Sequence, residues 1–195
     1  MKYRITLLLA ALMTGCTGLQ APKVENSHLY LLDAKPAIHP ASAKIDRVLA
    51  VTVPNAWPGF DTPQMAYQRV PHELEYFALH RWADTPAQML KPLLARALEP
   101  EFRAIVQAPG SASADLRLDT ELIRLQQDFT TQPSRVEIVL RAQLIRDKRV
   151  MATKQFNESE AAASDDPYGG VVAANRALQR ILEQIADFCR HAATP

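Results

Sequence analysis

The feature that most constrains the fold is an alternating stretch in the middle of the chain, DLRLDTELIRLQQDF (115–129). Side chains suited to a buried face alternate there with charged ones: Leu116, Leu118, Thr120 and Leu122 against Arg117, Asp119 and Glu121. Alternation with a period of two is typical of a strand that buries one face. Further along, Ile123 and Leu125 fall on the opposite face, so we expect a β-bulge near 122–123 that restores one buried face. A sheet with one apolar face requires a second layer to cover it.

This stretch begins a predicted β-meander. Two further strands are predicted in RVEIVLRAQLI (135–145) and RVMATKQF (149–156), joined by a tight turn at Asp147-Lys148. Earlier strands are predicted at 28–32, at 47–54, as a pair broken near Pro71 within 64–79, and at 102–108.

Two amphipathic helices are predicted to supply the covering layer. The first is TPAQMLKPLLARAL (85–98), where Thr85 is a suitable N-cap and Pro86 a suitable first helical residue. Pro92 lies inside this helix and is expected to kink it or to delay its regular start. The second runs from about Pro167 to His191 and carries an apolar stripe at helical spacing. The predicted fold is a single α+β domain, with two helices packed on one face of a mostly antiparallel sheet.

The N-terminal residues have the pattern of an export signal. Two basic residues precede the apolar run LLLAALMTGC (7–16), which is shorter than the roughly 20 residues that a membrane-spanning helix needs. Thr14-Gly15-Cys16 resembles the lipobox of bacterial lipoproteins, in which the cysteine is diacylated and becomes the mature N-terminus. We therefore interpret 1–15 as a lipoprotein signal peptide, 16–27 as a tether and 28–195 as the folded domain.

Composition excludes several classes of function. The chain has 22 basic and 21 acidic residues, a balance that argues against nucleic acid as a partner. It contains no G-x-S-x-G, H-E-x-x-H or glycine-rich phosphate loop, and we predict no enzyme activity, no cofactor and no metal site. If Cys16 is acylated, Cys189 is the single remaining thiol, and its place on the apolar stripe of the last helix predicts a buried structural residue.

Two blocks of the sequence resemble a known family. VTVPNAWPGFDTPQMAYQR (51–69) has a strand that ends in Val-x-x-Pro and a loop that leads into D-x-P-Q. LHRWADTPAQMLKPLLARAL (79–98) has an R-W-A-D-x-P block that opens a leucine-rich helix. With the lipobox, Tyr30 in the first strand and the last amphipathic helix, these blocks resemble the ABC-type transport auxiliary lipoproteins, the group that includes PqiC.

The resemblance implies a non-catalytic lipoprotein that works with an ATPase, a permease and an MCE-domain protein to move lipids or other hydrophobic molecules between two membranes. It also implies assembly with the MCE component, and the sequence leaves open whether the chain forms a homo-oligomer. Thr17 follows the lipidated cysteine, where aspartate would signal retention in the inner membrane, so we expect residence at the outer membrane, facing the periplasm. A structural or assembly lipoprotein, such as a pilotin-like scaffold, is the alternative, and a periplasmic hydrolase would require a clustered nucleophile and base.

Four residues are candidates for a partner interface. Trp57 and Phe60 lie in a proline-rich loop, and Arg81 and Trp82 open the second family block. Tryptophan and arginine are enriched in binding hot spots. The same pattern also fits Trp82 as a core residue beside a solvated Arg81, and aromatic residues that pin the loop to the core, so both interpretations stay open.

Overall fold

The structure is a computed structural model that describes residues 27–35, 43–107 and 113–194; the signal, Cys16 and nearly all of the tether lie outside these residues. The elements, in chain order, are β1 (His28–Tyr30), β2 (Ile45–Val51), β3 (Asn55–Ala56), β4 (Gln64–Gln68), β5 (Glu75–Trp82), α1 (Pro86–Leu98), β6 (Phe102–Gln107), β7 (Leu116–Asp128), β8 (Arg135–Arg146), β9 (Arg149–Ala161) and α2 (Pro167–Ala193).

Strand β7 is the centre of the sheet. One of its edges pairs with β8 in antiparallel register, and β8 pairs with β9 in the same way. Leu122 lies opposite Leu140 and Arg124 lies opposite Val139, which leaves Ile123 as an extra residue on β7. The predicted bulge is therefore confirmed, and it returns Leu125 to the buried face.

The other edge of β7 pairs in succession with β2, β3 and β4, all parallel to it. β6 extends the sheet beyond β2, and β5 and then β1 extend it beyond β4. The α+β prediction is confirmed: two helices accompany one mixed sheet. "Mostly antiparallel" is an approximate description, because the long meander and the β4–β5 pair are antiparallel while the other pairs are parallel.

Both helices form where the sequence predicts them. Thr85 caps α1 by accepting a hydrogen bond from the Gln88 backbone N–H at 3.4 Å, and the helix continues through Pro92. Asp166 caps α2 by accepting from the Gly169 N–H at 2.7 Å. The apolar stripes face the core, with these residues buried: Met89, Leu90, Leu93, Leu94, Ala97 and Leu98 on α1, and Val171, Ala174, Leu178, Ile181, Leu182 and Ile185 on α2.

Strand β9 extends five residues beyond its predicted end at Phe156. The apolar pattern stops there because charged residues replace it and bond to α2. Glu158 accepts from Arg180 Nε at 2.8 Å and from Gln184 Nε2 at 2.6 Å, and Glu160 lies 3.0 Å from Arg180 Nη2. These bonds attach the helix to the outermost strand of the meander.

The two faces of the meander differ sharply. Alternate residues of β8 are buried in the core, namely Val136, Ile138, Leu140, Ala142 and Leu144. The residues between them are half-buried and carry cross-strand ion pairs, such as Arg141 with Glu121 at 3.0 Å and Arg124 with Glu137 at 2.9 Å. This outer face has the solvated character expected of an antiparallel sheet that is covered on one side.

The one-sided core predicts unequal effects for neighbouring substitutions on β8. Leu140→Ala should lower the free energy of unfolding by about 2–5 kcal/mol, because it removes a fully buried side chain beneath the helices. Val139→Ala, on the outer face, should cost much less. Chemical denaturation of both variants measures the difference, and equal costs would contradict a core that lies on one face.

Candidate interaction surface

Strand β1 forms one border of the sheet and directly follows the tether in the sequence. It pairs parallel to β5, with His28 opposite His80, Leu29 opposite Arg81 and Tyr30 opposite Trp82. A strand of three residues makes few hydrogen bonds of its own, so contacts outside the sheet are needed to hold it in place.

Helix α2 provides those contacts through Asn175. Its Nδ2 donates to the Leu31 carbonyl at 3.1 Å, and its Oδ1 accepts from the Asp33 N–H at 2.8 Å. One side chain thus satisfies a backbone acceptor and a backbone donor of the segment that follows β1. This arrangement fixes 28–33 against the start of the helix.

The side of β1 that faces α2 carries a cluster of stacked rings. Tyr30 Oη lies 3.0 Å from His80 Nδ1, and the His80 ring stacks on His28 with centroids 5.0 Å apart. The ring of Tyr168, from the first turn of α2, lies 6.4 Å from that of Tyr30. The cluster therefore joins β1, β5 and α2.

Burial and charge bias the protonation states of this cluster. Burial lowers the pKa of His80 below its ordinary value of 6.5, the neighbouring His28 lowers it further, and Asp166 acts in the opposite direction. Burial also raises the pKa of Tyr30 above 10.0, with a contribution from Asp166. The folded state therefore favours a neutral His80 beside a neutral Tyr30.

Large apolar side chains are exposed along the same border of the sheet. Leu29, Leu31 and Tyr168 are 66%, 58% and 63% exposed. Together with Val172 and Asn175 they line an open groove of about 530 Å³ between the β1 segment and α2. We call Leu29, Leu31 and Tyr168 the β1 patch; exposed apolar groups that are clustered in this way mark interaction sites.

The four candidate interface residues from the sequence differ in their exposure in the structure. Trp57 is 44% exposed in the loop after β3, and Phe60 is half-buried against the core. Arg81 is exposed beside Leu29, whereas Trp82 is 4% exposed and belongs to the core. For Trp82 this is the packing role that the sequence also allowed.

Sequence reasoning missed the β1 patch and the ring cluster. The available signal was HLYLL (28–32), which is apolar at consecutive positions and so has more apolar residues than a strand with one buried face needs. Tyr168 carried no signal, because its approach to β1 depends on contacts between residues far apart in the sequence.

Several acidic side chains at the ends of strands and helices have structural roles. Glu158 and Glu160 bond to α2, and Asp165 accepts from the Ser134 N–H at 2.7 Å, a bond that lowers the pKa of its carboxyl. Across the described ranges, no three His, Cys, Asp or Glu side chains lie close enough to hold a metal ion. Burial, with a smaller effect of Glu101, raises the pKa of the Cys189 thiol to about 12, as expected for an inert structural cysteine.

Comparisons with known proteins agree with the resemblance seen in the sequence. A family model described as "ABC-type transport auxiliary lipoprotein component" matches residues 30–186. Protein XCC0632 from Xanthomonas campestris has a similar structure, with a TM-score of 0.78 and 23% identity over 85% of this chain and 96% of that one. The hypothetical protein CT253 from Chlamydia trachomatis is similar at a TM-score of 0.53 and 9% identity, over 76% of this chain and 98% of that one.

A search of curated proteins gives no match. The two structural likenesses show the fold. Within the described part of the chain, neither helix combines the length and apolar character needed to cross a membrane.

The ring cluster predicts a pH dependence of stability. Because the folded state lowers the pKa of His80, its contribution to stability is complete above pH 6.5 and is lost as the pH falls through the lowered pKa. His80→Gln should therefore flatten this part of the stability profile. Urea unfolding at a series of pH values measures it, with His72→Asn, in the exposed turn before β5, as the control. An unchanged slope in His80→Gln would contradict this role.

Proposed function

Because this chain belongs to the ABC-type transport auxiliary lipoprotein family, we propose that it docks, without catalysis, onto the MCE-domain protein of a transporter that moves hydrophobic molecules between membranes. We further propose that Cys16 carries the lipid anchor and that the domain faces the periplasm from the outer membrane. The ATPase and permease of such a system would supply the energy, which fits a chain without a phosphate-binding loop.

The observation that carries this proposal is the β1 patch on its rigid frame. Leu29 and Leu31 project from a segment that Asn175 and the ring cluster hold in place, so little conformational entropy is lost when a partner covers them. Polar residues of α2 border the patch, including Arg176 and Gln179. Apolar and tyrosine side chains inside a polar rim are the usual composition of a protein–protein interface.

Two of the residues selected from the sequence extend this surface. Arg81 lies directly opposite Leu29 in the β1–β5 register, and paired residues project from the same face of a sheet. Its guanidinium is therefore available beside an exposed leucine. Trp57 offers an exposed aromatic ring from a separate loop, whereas we assign Phe60 and Trp82 to packing that supports the surface from within.

The position of the patch also fits an anchored protein. The tether from Thr17 to Ser27 spans at most roughly 35 Å when extended, and β1 follows it directly. A diacylated cysteine holds a protein firmly at a bilayer, since two acyl chains together exceed the marginal binding of one. The docking surface would thus lie beside the anchor, where a partner that crosses the periplasm would arrive.

An assembly lipoprotein of the envelope is the alternative function. It shares the lipid anchor and the lack of catalytic groups, so gene neighbourhood separates the two. Adjacent genes for an ATPase, a permease and an MCE protein support transport, while adjacent secretin or pilus genes would overturn it.

Docking itself predicts a specific loss of affinity. Leu29→Asp should weaken binding to the periplasmic part of the MCE-domain protein at least about tenfold (about 1.4 kcal/mol), because it places a charge at the centre of an apolar contact. The affinity is measured from the binding of the purified protein, in detergent, to the partner immobilised on a sensor surface. Val70→Asp is the matched control, because Val70 is an aliphatic residue of similar exposure (54%) in the turn between β4 and β5, outside the β1 patch. Equal binding by Leu29→Asp and the native protein, with unchanged thermal unfolding, would contradict the proposed surface.

A further inference from the structure

A second surface feature lies at the end of the sheet where β7 begins. An open cleft of about 450 Å³ is bordered by the first part of β2, the residues that precede β7 and the β8–β9 turn. Four cationic side chains line it, namely Arg47, Arg117, Arg146 and Lys148, against two acidic ones, Asp115 and Asp147. Neither the fold nor the β1 patch accounts for this concentration of positive charge.

Three of the residues that line the cleft belong to a single cross-strand row that continues to Val150. Ala50 pairs with Arg117, Arg117 pairs with Ile145, and Ile145 pairs with Val150. Paired residues share one face of a sheet, so this row places an arginine between apolar side chains on the outer face. Val150 is 54% exposed at the end of the row, and the neighbouring Met151 is also exposed. Positive charge and exposed apolar surface therefore adjoin.

Several of the cationic groups have no partner among the described residues. No described residue forms an ion pair with Arg47 or Lys148, and Arg146 Nε is enclosed without a hydrogen-bond acceptor. Asp115 accepts from the Val48 N–H at 2.7 Å, so one of its oxygens is already bonded. Arg117 is the exception, since Asp119 lies 2.9 Å from its Nη2. Arg47, Arg146 and Lys148 line one cleft without an ion-pair partner among the described residues, and such a group of cations is suited to bind an oxygen-rich anion.

The backbone conformation of the β8–β9 turn also supports a functional role for the cleft. Asp147 and Lys148 have φ values of 49° and 63°, as a two-residue hairpin turn requires, and glycine is preferred at such positions. Lysine in the second position keeps a charge at the border of the cleft at the expense of local stability. Backbone strain of this kind is common at functional sites.

The cleft and the first residue of β1 lie toward opposite ends of the sheet. β1 is parallel to β5, β5 is antiparallel to β4, and β4 is parallel to β7. β1 thus runs antiparallel to β7, and its first residue, His28, lies toward the end of the sheet where β7 finishes. A ligand in the cleft would therefore be held toward the other end of the sheet from His28.

We propose that this cleft binds the phosphate group of an anionic lipid. The guanidinium groups of Arg47 and Arg146 and the ammonium group of Lys148 would contact the phosphate oxygens, and Val150 and Met151 would contact the first part of the acyl chains. The phosphate part of the proposal rests on the geometry alone, and the choice of a lipid as its source rests on the proposed function in transport of hydrophobic molecules. Binding is non-covalent, so no group is transferred.

Isothermal titration of the full processed chain in non-ionic detergent tests the proposal with three probes: short-chain phosphatidylglycerol, short-chain phosphatidylcholine and inorganic phosphate. Phosphatidylglycerol should bind best, and Arg146→Gln should weaken it at least about tenfold. Lys148→Gly should weaken it as well, yet raise the temperature of thermal unfolding, because glycine relieves the strain at that φ. Arg96→Gln, an exposed arginine on α1, is the matched control for loss of one charge.

Each outcome of the titrations either supports or overturns the proposed lipid site. Selective binding of phosphatidylglycerol that Arg146→Gln and Lys148→Gly weaken and Arg96→Gln does not would support the proposal. Equal affinity for inorganic phosphate would overturn the lipid source, and an equal effect of Arg96→Gln, or no binding at all, would overturn the site. The titration uses the isolated protein and does not depend on docking. Lipid binding can therefore be disproved while docking to the MCE-domain protein is confirmed, and docking can be disproved while lipid binding is confirmed.

Discussion

The burial of the leucine-rich inner face of β7 and β8 beneath α2 is the interaction on which the rest of the structure depends. Leu122 and Leu140 lie opposite each other at the centre of the meander, fully buried, and Leu178 and Ile181 are equally buried on the helix. Burial of apolar area at about 25 cal/mol per Å² makes such a contact the main source of stability. The bulge at Ile123 is what allows β7 to keep one face in this contact along its whole length.

A core on one side of the sheet determines where other molecules can bind. The outer face of the meander is occupied by ion pairs such as Arg141 with Glu121, which suit contact with water. The borders and ends of the sheet are where apolar or unpaired cationic groups reach the surface. The β1 patch lies beside the residues that follow the tether, and the cationic cleft lies at the opposite end, so two proposed contacts can be made at the same time.

Local patterns in the sequence predicted the elements well, because helix caps and period-two alternation are encoded within a few residues. Thr85 and the phase change at Ile123 both act as the sequence indicated. The parallel pairing of β2, β3 and β4 with β7 could not be predicted in this way, since it joins residues that are far apart in the chain. The same holds for the approach of Tyr168 to Tyr30 and for the collection of Arg47, Arg117 and Lys148 around one cleft. Both candidate sites therefore depend on the topology of the sheet, which brings together residues that are far apart in the sequence.

The functions proposed for the β1 patch and the cationic cleft both depend on residence at the outer membrane, because the location of the anchor determines which side of the domain a partner reaches first. Fractionation of native membranes on a density gradient tests it directly. The native chain, with Thr17 after Cys16, should travel with outer-membrane markers, and Thr17→Asp should move it to the inner-membrane fractions. Native protein found with inner-membrane markers would contradict this location and the arrangement of docking surface and cleft built on it.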